Sequence, residues 1–283
     1  MKAEIEVLQP GLFSTIQDEG RRGYLSYGVP PAGPMDSFSA GMANMLLQNS
    51  PDSAVMEITL MGPKLKFSAS TQIAIFGAFL SPQLNAEEIQ NNKIYRVGAG
   101  DVLSFGRRVR GNRAYLAVKN GFKTEIVLGS RSWFDGLTSA VKLEKGMKLE
   151  YEAFDGASDI THSLVKLKDF ITSEEVEAFP GPEYSQLSKE KKKELEKRHF
   201  SLSINNNRMG VQLEEKLHND LQPILTGPVL PGTVQLTPSG KLIVLMRDGQ
   251  TTGGYPRVLQ LSERGINTLA QKVQGEKIVF RLV

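Results

Sequence analysis

The 283-residue chain contains no cysteine. Disulfides, thiolate nucleophiles, cysteine-ligated zinc and iron–sulfur clusters are excluded together. Histidine is scarce. His162, His199 and His218 stand far apart and form no HExxH pattern, so no metal site is expected. There is no GxSxG elbow for a serine nucleophile. There is no Walker loop and no strand-linked GxGxxG for a nucleotide. No apolar run approaches the roughly 20 residues of a membrane helix. Charge of one sign is not in excess either: the net charge is +3. The one dense basic run, Lys189 to Arg198, is interleaved with Glu190, Glu194 and Glu196 and reads as a solvated helix face. Neither nucleic acid nor membrane is an expected partner. The N-terminal residues Lys2 to Val7 alternate like a strand and lack the apolar core of a signal peptide, so a cytoplasmic location is expected.

What is abundant is period-two alternation. Lys2 to Leu8, Lys64 to Phe67, Gln72 to Phe76, Lys93 to Val97, Arg113 to Val118, Lys148 to Tyr151, Thr233 to Leu236, Lys241 to Met246, Arg257 to Leu261 and Lys277 to Val283 read as strands. Ile126 to Leu128 reads as a further short strand, and so does the run after Thr172. The 27 glycines and 14 prolines separate these runs. Helices are few. Asp36, Ser188 and Ser262 are the expected N-caps of helices over 37–48, 189–198 and the segment after 262. In the first helix Phe38, Met42, Met45 and Leu46 are the expected core stripe. The expected fold is mainly β, two β-rich halves with a few short helices. The polar stretch between Ala153 and Lys166 divides an N-terminal half, 1–155, from a C-terminal half, 156–283.

The segment Asp248-Gly249-Gln250-Thr251-Thr252-Gly253-Gly254-Tyr255-Pro256 is the most distinctive. It follows an apolar strand and offers an amide and two hydroxyls. The paired glycines let backbone N–H groups approach a ligand. A plain hairpin turn with spare polar residues is the other reading. Four more clusters share this ambiguity. The stiff loop Gly28-Val29-Pro30-Pro31-Ala32-Gly33-Pro34 delivers Asp36 to a helix start, as a cap or as a proton-handling group. Gly129-Ser130-Arg131-Ser132 can present N–H groups and a guanidinium to an anion, or simply end a strand. Asn205 to Gly210 surrounds Arg208, and Gly227-Pro228-Val229-Leu230-Pro231-Gly232 stiffens the entry to a strand.

Nine motifs in order resemble the allophanate hydrolase subunit 2 family. They include Gly28 to Asp36, Glu57-Ile58-Thr59-Leu60-Met61-Gly62-Pro63, Leu128 to Ser132, Pro180-Gly181-Pro182-Glu183, Asn207-Arg208-Met209-Gly210, Pro231-Gly232-Thr233-Val234-Gln235 and Gln250 to Pro256. The family includes the C subunit of bacterial ATP-dependent 5-oxoprolinase, the KipA proteins and the carboxyltransferase part of urea carboxylase. The resemblance implies a β-dominated fold with cyclophilin-like barrel character. It also implies a KipI-like partner, the B subunit, and for the oxoprolinase a LamB/YcsF-like partner, the A subunit. The activity implied is opening of 5-oxo-L-proline to L-glutamate, with ATP used by the complex. The alternatives are a KipA-like regulator of a KipI-like kinase inhibitor, without chemistry, and a carboxyltransferase served by a biotinylated partner. By analogy, Gln250, Thr251, Thr252, Gly253 and Gly254 contact an amide oxygen. Arg208, Arg131 and Ser130 bind a carboxylate or phosphate, and Asp36 and Tyr255 handle protons or orient the substrate. The chain departs from the family where Ser-Asp-Arg-Met-Gly-Tyr-Arg-Leu is usual: here the segment reads Asn206-Asn207-Arg208-Met209-Gly210-Val211-Gln212-Leu213 after Asn205.

Overall fold

A computed structural model describes residues 2–156 and 170–283. His162 and most of the expected linker between Ala153 and Lys166 lie outside the described residues. The chain forms two compact units. One comprises residues 1–21 and 32–169, the other residues 22–31 and 170–283. No described helix is long and apolar enough to cross a membrane.

The first unit is a two-sheet sandwich with one helix. Its strands are β1 (Lys2–Gln9), β2 (Phe13–Gln17), β3 (Val55–Thr59), β4 (Lys64–Phe67), β5 (Thr71–Phe79), β6 (Pro82–Leu84), β7 (Glu87–Glu88), β8 (Ile94–Val97), β9 (Val102–Phe105), β10 (Arg110–Val118) and β11 (Lys148–Glu152). One sheet runs β11-β1-β4-β9-β6-β7 and the other β2-β3-β10-β5-β8. Alternation places Ile5, Val7, Leu65, Phe67, Leu149 and Tyr151 of the first sheet in one core with Ile16, Ile58, Ile75, Leu116 and Val118 of the second. The opposite face of the second sheet carries Phe76, Tyr115 and Ala117, and α1 (Ser37–Leu46) covers it. Strands β5 and β10 are thus buried on both faces, which explains their almost continuous apolar composition.

Helix α1 corrects one expectation. Its Asp36 cap is as expected, accepting from the Ser39 N–H. The side that meets the sheet, however, is Ala40, Ala43 and Leu47, together with Met42. Phe38 and Met45 are exposed. Of the expected stripe, Met42 and Leu46 do pack in this cluster, whereas Phe38 and Met45 do not. Residues 40, 43, 44 and 47 form one stripe at helical spacing, and 38 and 45 lie nearly opposite it. A second correction concerns Ile126 to Leu128. Only Val127 bridges, to Ser130, across a tight turn in which Leu128 and Gly129 have φ of 52° and 78°.

The second unit is a closed barrel. Its strands are β12 (Glu175–Pro180), β13 (Phe200–Asn206), β14 (Gly210–Leu213), β15 (Gly227–Pro228), β16 (Thr233–Leu236), β17 (Leu242–Leu245), β18 (Thr252–Gly253), β19 (Arg257–Leu261) and β20 (Lys277–Leu282). The barrel order is β12-β19-β16-β17-β14-β13-β20, closed by the parallel pair β12–β20. Val176, Leu202, Val211, Val234, Leu236, Val244, Leu259 and Phe280 fill it, each 1% exposed or less. Helices α2 (Lys189–Lys197) and α3 (Glu263–Ala270) start at Ser188 and Ser262, whose side chains accept the N–H groups of Lys191 and Gly265. Strands β15 and β18 form a separate two-stranded ribbon.

Candidate functional site

The glycine-paired loop sits on the barrel unit, between β17 and β19. Two forked ion pairs fix its ends. At its entrance, Arg208 grips Asp248 twice, Nε to Oδ2 at 2.7 Å and a terminal nitrogen to Oδ1 at 2.9 Å. The Asp248 N–H returns a bond to the Arg208 carbonyl. At its exit, Arg257 grips Glu183 with Nε at 3.0 Å and a terminal nitrogen at 2.8 Å, and the Arg257 N–H donates to the same carboxylate. Hydrogen bonds from the Arg257 side chain are the main cause that holds the Glu183 carboxyl below its ordinary value. The remaining Arg257 nitrogen donates to the Pro228 carbonyl at 3.0 Å, tying the ribbon to the barrel. Gly181 makes this exit possible: a Cβ there would lie 2.2 Å from the Arg257 carbonyl oxygen. Glu183 and Arg257 were not singled out as functional by sequence reasoning. The signal available was their place in or beside two of the nine motifs.

Between these clamps, Gln250, Thr252 and Tyr255 are exposed, and Thr251, Gly253 and Gly254 are half-buried. The ribbon pairs Gly227 with Gly253 and Pro228 with Thr252. It lies against β16, where Gln235 is buried. A Cβ on Gly253 would sit 2.3 Å from Gln235 Nε2, so only glycine leaves room for that carboxamide. The β16–β19 pairing is irregular between Val234 and Gln235, a feature common beside functional sites. The altered motif keeps its turn. Asn207 Oδ1 accepts from Met209 N–H at 2.8 Å and Gly210 N–H at 3.1 Å, a role open equally to the aspartate usual in the family.

The remaining expected residues belong to the first unit. Asp36 is fully buried; its oxygens accept from Ser39 N–H at 3.0 Å and Ser39 Oγ at 2.6 Å. Its N–H donates to the Tyr115 hydroxyl, which donates to Glu57 Oε2 at 2.9 Å. Burial first, then the Glu57 and Asp36 charges, pushes the Tyr115 hydroxyl well above its ordinary value and keeps it neutral. Ser130 and Ser132 donate to Asp18 Oδ1 at 2.5 and 2.8 Å, and the Arg131 N–H donates to Oδ2 at 2.5 Å. The N–H and hydroxyls of the Gly-Ser-Arg-Ser turn thus already serve an anion, the chain's own Asp18. The Arg131 guanidinium bonds the Thr124 carbonyl and lines a cleft of about 480 Å³ with Lys123, Asp52, Asn120 and Glu152. The structure therefore brings Arg208 and the Gln250–Tyr255 loop together in one unit. Ser130 and Arg131 lie in the other unit around Asp18, and Asp36 lies there in a separate buried cluster.

A β-sandwich unit and a closed seven-stranded barrel, the latter carrying a clamped glycine-paired loop, define a carboxyltransferase-type protein. The chain belongs to that family: the model of the carboxyltransferase domain, subdomains A and B, matches residues 27–282. It is 30% identical over 283 residues to the C subunit of the 5-oxoprolinase of Escherichia coli K12, covering 98% of this chain and 90% of that one. It is 45% identical over 130 residues to the urea amidolyase of Lachancea kluyveri, covering 46% of this chain and 7% of that one. The crystal structure of TTHA0988 superposes with a TM-score of 0.87 at 28% identity, covering 99% of this chain. This chain spans 55% of that solved chain.

Proposed function

We propose that the chain serves as the C subunit of an ATP-dependent 5-oxoprolinase that opens the lactam of 5-oxo-L-proline to L-glutamate. Its partners in this reading are a KipI-like protein, the B subunit, and a LamB/YcsF-like protein, the A subunit. One observation carries the proposal: the similarity to the C subunit of the E. coli 5-oxoprolinase extends over 98% of this chain and 90% of the relative. The match to urea amidolyase covers 46% of this chain.

Opening a lactam builds negative charge on the carbonyl oxygen, and fixed donors aimed at that oxygen lower the barrier. The Gln250 amide, the Thr251 and Thr252 hydroxyls and the Gly254 N–H supply such donors, while Gly253 pairs with Gly227 in the ribbon. The Arg208–Asp248 and Arg257–Glu183 forks fix the two ends of the loop. Arg208 acts on the substrate through this clamp. Tyr255, exposed beside the loop, orients the substrate. Arg131 meets a carboxylate or phosphate from its cleft. Ser130 and Asp36 contribute by fixing Asp18 and the start of α1. Among the described residues the three helix N-termini carry a carboxylate, at Asp36, Glu190 and Glu263, and each opposes an incoming phosphate. The ATP of this reading is used by the complex.

A second reading, the carboxyltransferase component of a biotin-dependent enzyme, is favoured by the 45% identity to urea amidolyase over 130 residues. Urea presents the same planar N–C=O group to the loop. Reconstitution of the three-protein complex with 5-oxoproline and ATP tests the main reading. Glutamate release is expected, and the Gln250→Ala, Arg208→Ala double variant lowers it by roughly 100-fold or more. An intact complex that releases no glutamate but carboxylates urea with a biotinylated partner favours the second reading. Full release from the double variant overturns the site assignment.

A further inference from the structure

Several polar side chains packed near the loop are paired. Thr233 Oγ1 donates to Gln260 Oε1, Gln260 Nε2 donates to the Pro231 carbonyl, and both arginine forks are closed. Gln235 differs. It is 1% exposed, and among the described residues no acceptor meets its buried Nε2. A buried donor left unpaired carries a substantial free-energy penalty. A leucine at this position fills a similar volume without that penalty, so stability alone does not account for a glutamine here. The carboxamide ends against the backbone of Gly253, inside the one loop that both forks hold. The ribbon β15–β18 that covers it consists of two residue pairs, extended by bonds from Val229 N–H to the Thr251 carbonyl and from Ile224 N–H to the Gly254 carbonyl and tied to the barrel by Arg257; a two-stranded ribbon is marginally stable by itself.

We propose that Gln235 is a substrate-contacting residue whose carboxamide recognises the cis edge of a lactam or ureido group when the ribbon moves off it. In a lactam the ring holds N–H and C=O on the same edge, and urea presents the same edge through its own geometry. A primary carboxamide also presents one N–H and one C=O on a single edge. The two edges pair through two parallel hydrogen bonds. An acyclic secondary amide is trans and meets this edge with only one. The inference takes its ligand class from the amide-handling reading above. To it are added a residue that this reading did not use and a geometric rule for which amides bind.

The test uses the full chain and its thermal unfolding in the presence of 5-oxoproline, 2-pyrrolidinone or N-methylacetamide, each at tens of millimolar. Both lactams raise the unfolding temperature of the wild-type chain, and N-methylacetamide leaves it unchanged. Gln235→Leu unfolds at the same or a higher temperature than wild type without ligand and shows no lactam-induced shift. Gln235→Glu, equal in shape but lacking the N–H, also loses the shift and serves if the leucine variant does not fold. A lactam shift of equal size in wild type and variant overturns the proposal. So does the absence of any lactam shift in wild type, or an equal response to N-methylacetamide. In the assembled complex Gln235→Leu lowers kcat/KM for 5-oxoproline by about tenfold or more. A wild-type lactam shift that depends on Gln235, together with a wild-type complex that releases no glutamate, supports this assignment and overturns the oxoprolinase reading instead.

Discussion

Arg208 shows how a residue that looks like a ligand-binding cation can serve a loop first. Its side chain and that of Asp248 are 8% and 12% exposed, and the fork between them joins two segments forty residues apart. Removing the guanidinium leaves a carboxylate largely buried and unpaired, which costs more than the pair itself contributes. Arg208→Ala is expected to lower the unfolding free energy by about 3 kcal/mol in a urea titration. Arg208→Lys keeps the charge but not the fork and falls between the two. An alanine variant as stable as wild type contradicts this account. At the same scale, Asn207 shows that a departure from the family pattern need not change structure, because its amide oxygen holds the Met209 and Gly210 N–H groups.

Single elements show where local signals decide. Among the described residues, each of the helices α1, α2 and α3 begins at a side-chain oxygen that accepts an N–H three residues on: Asp36 from Ser39, Ser188 from Lys191 and Ser262 from Gly265. Helix α3 depends on its cap for a particular reason. Gly265 packs so tightly that a Cβ would lie 2.2 Å from the Glu177 carbonyl oxygen, so the first turn of α3 is pressed against β12. Ser262→Ala is expected to cost about 1 kcal/mol, seen as a lower urea midpoint with unchanged slope. A changed slope instead indicates a wider rearrangement. The loop between β12 and the short turn of residues 184–186 is equally constrained, since Gly181 lies against the Arg257 backbone.

For the whole molecule, stability is limited at both ends of the pH scale by groups near one another in sequence. The Arg257 side chain holds Glu183 below its ordinary 4.5. Its folded value is depressed, so its contribution is complete above the unfolded value and disappears as pH falls through the folded one. Burial first, then the hydrogen bond to Glu196, pushes the Tyr184 hydroxyl up to about 12. Its folded value is raised, so its contribution is complete below the ordinary 10.0 and is lost as pH rises towards about 12. Glu183→Gln is expected to flatten the fall in unfolding temperature below about pH 4.5, and Tyr184→Phe the fall above about pH 10. Variants with the wild-type slope on both limbs refute the assignment.

The sequence by itself determined the strands whose two faces differ, such as Lys2 to Leu8, Lys64 to Phe67 and Lys148 to Tyr151, and the helix starts, because alternation and caps are local properties. It also carried, in nine ordered motifs, the family to which the chain belongs. Strands β2 and β3, buried along most of their length, escaped that reading. The tertiary structure alone decided which side of α1 is inward, since the sheet beneath admits small side chains and leaves Phe38 and Met45 outside. It alone paired Arg208 with Asp248 and Glu183 with Arg257, and it alone set Gln235 beneath Gly253. Those partners come from different strands and loops. Contacts between segments far apart in the chain follow from barrel closure and register, which no local pattern encodes.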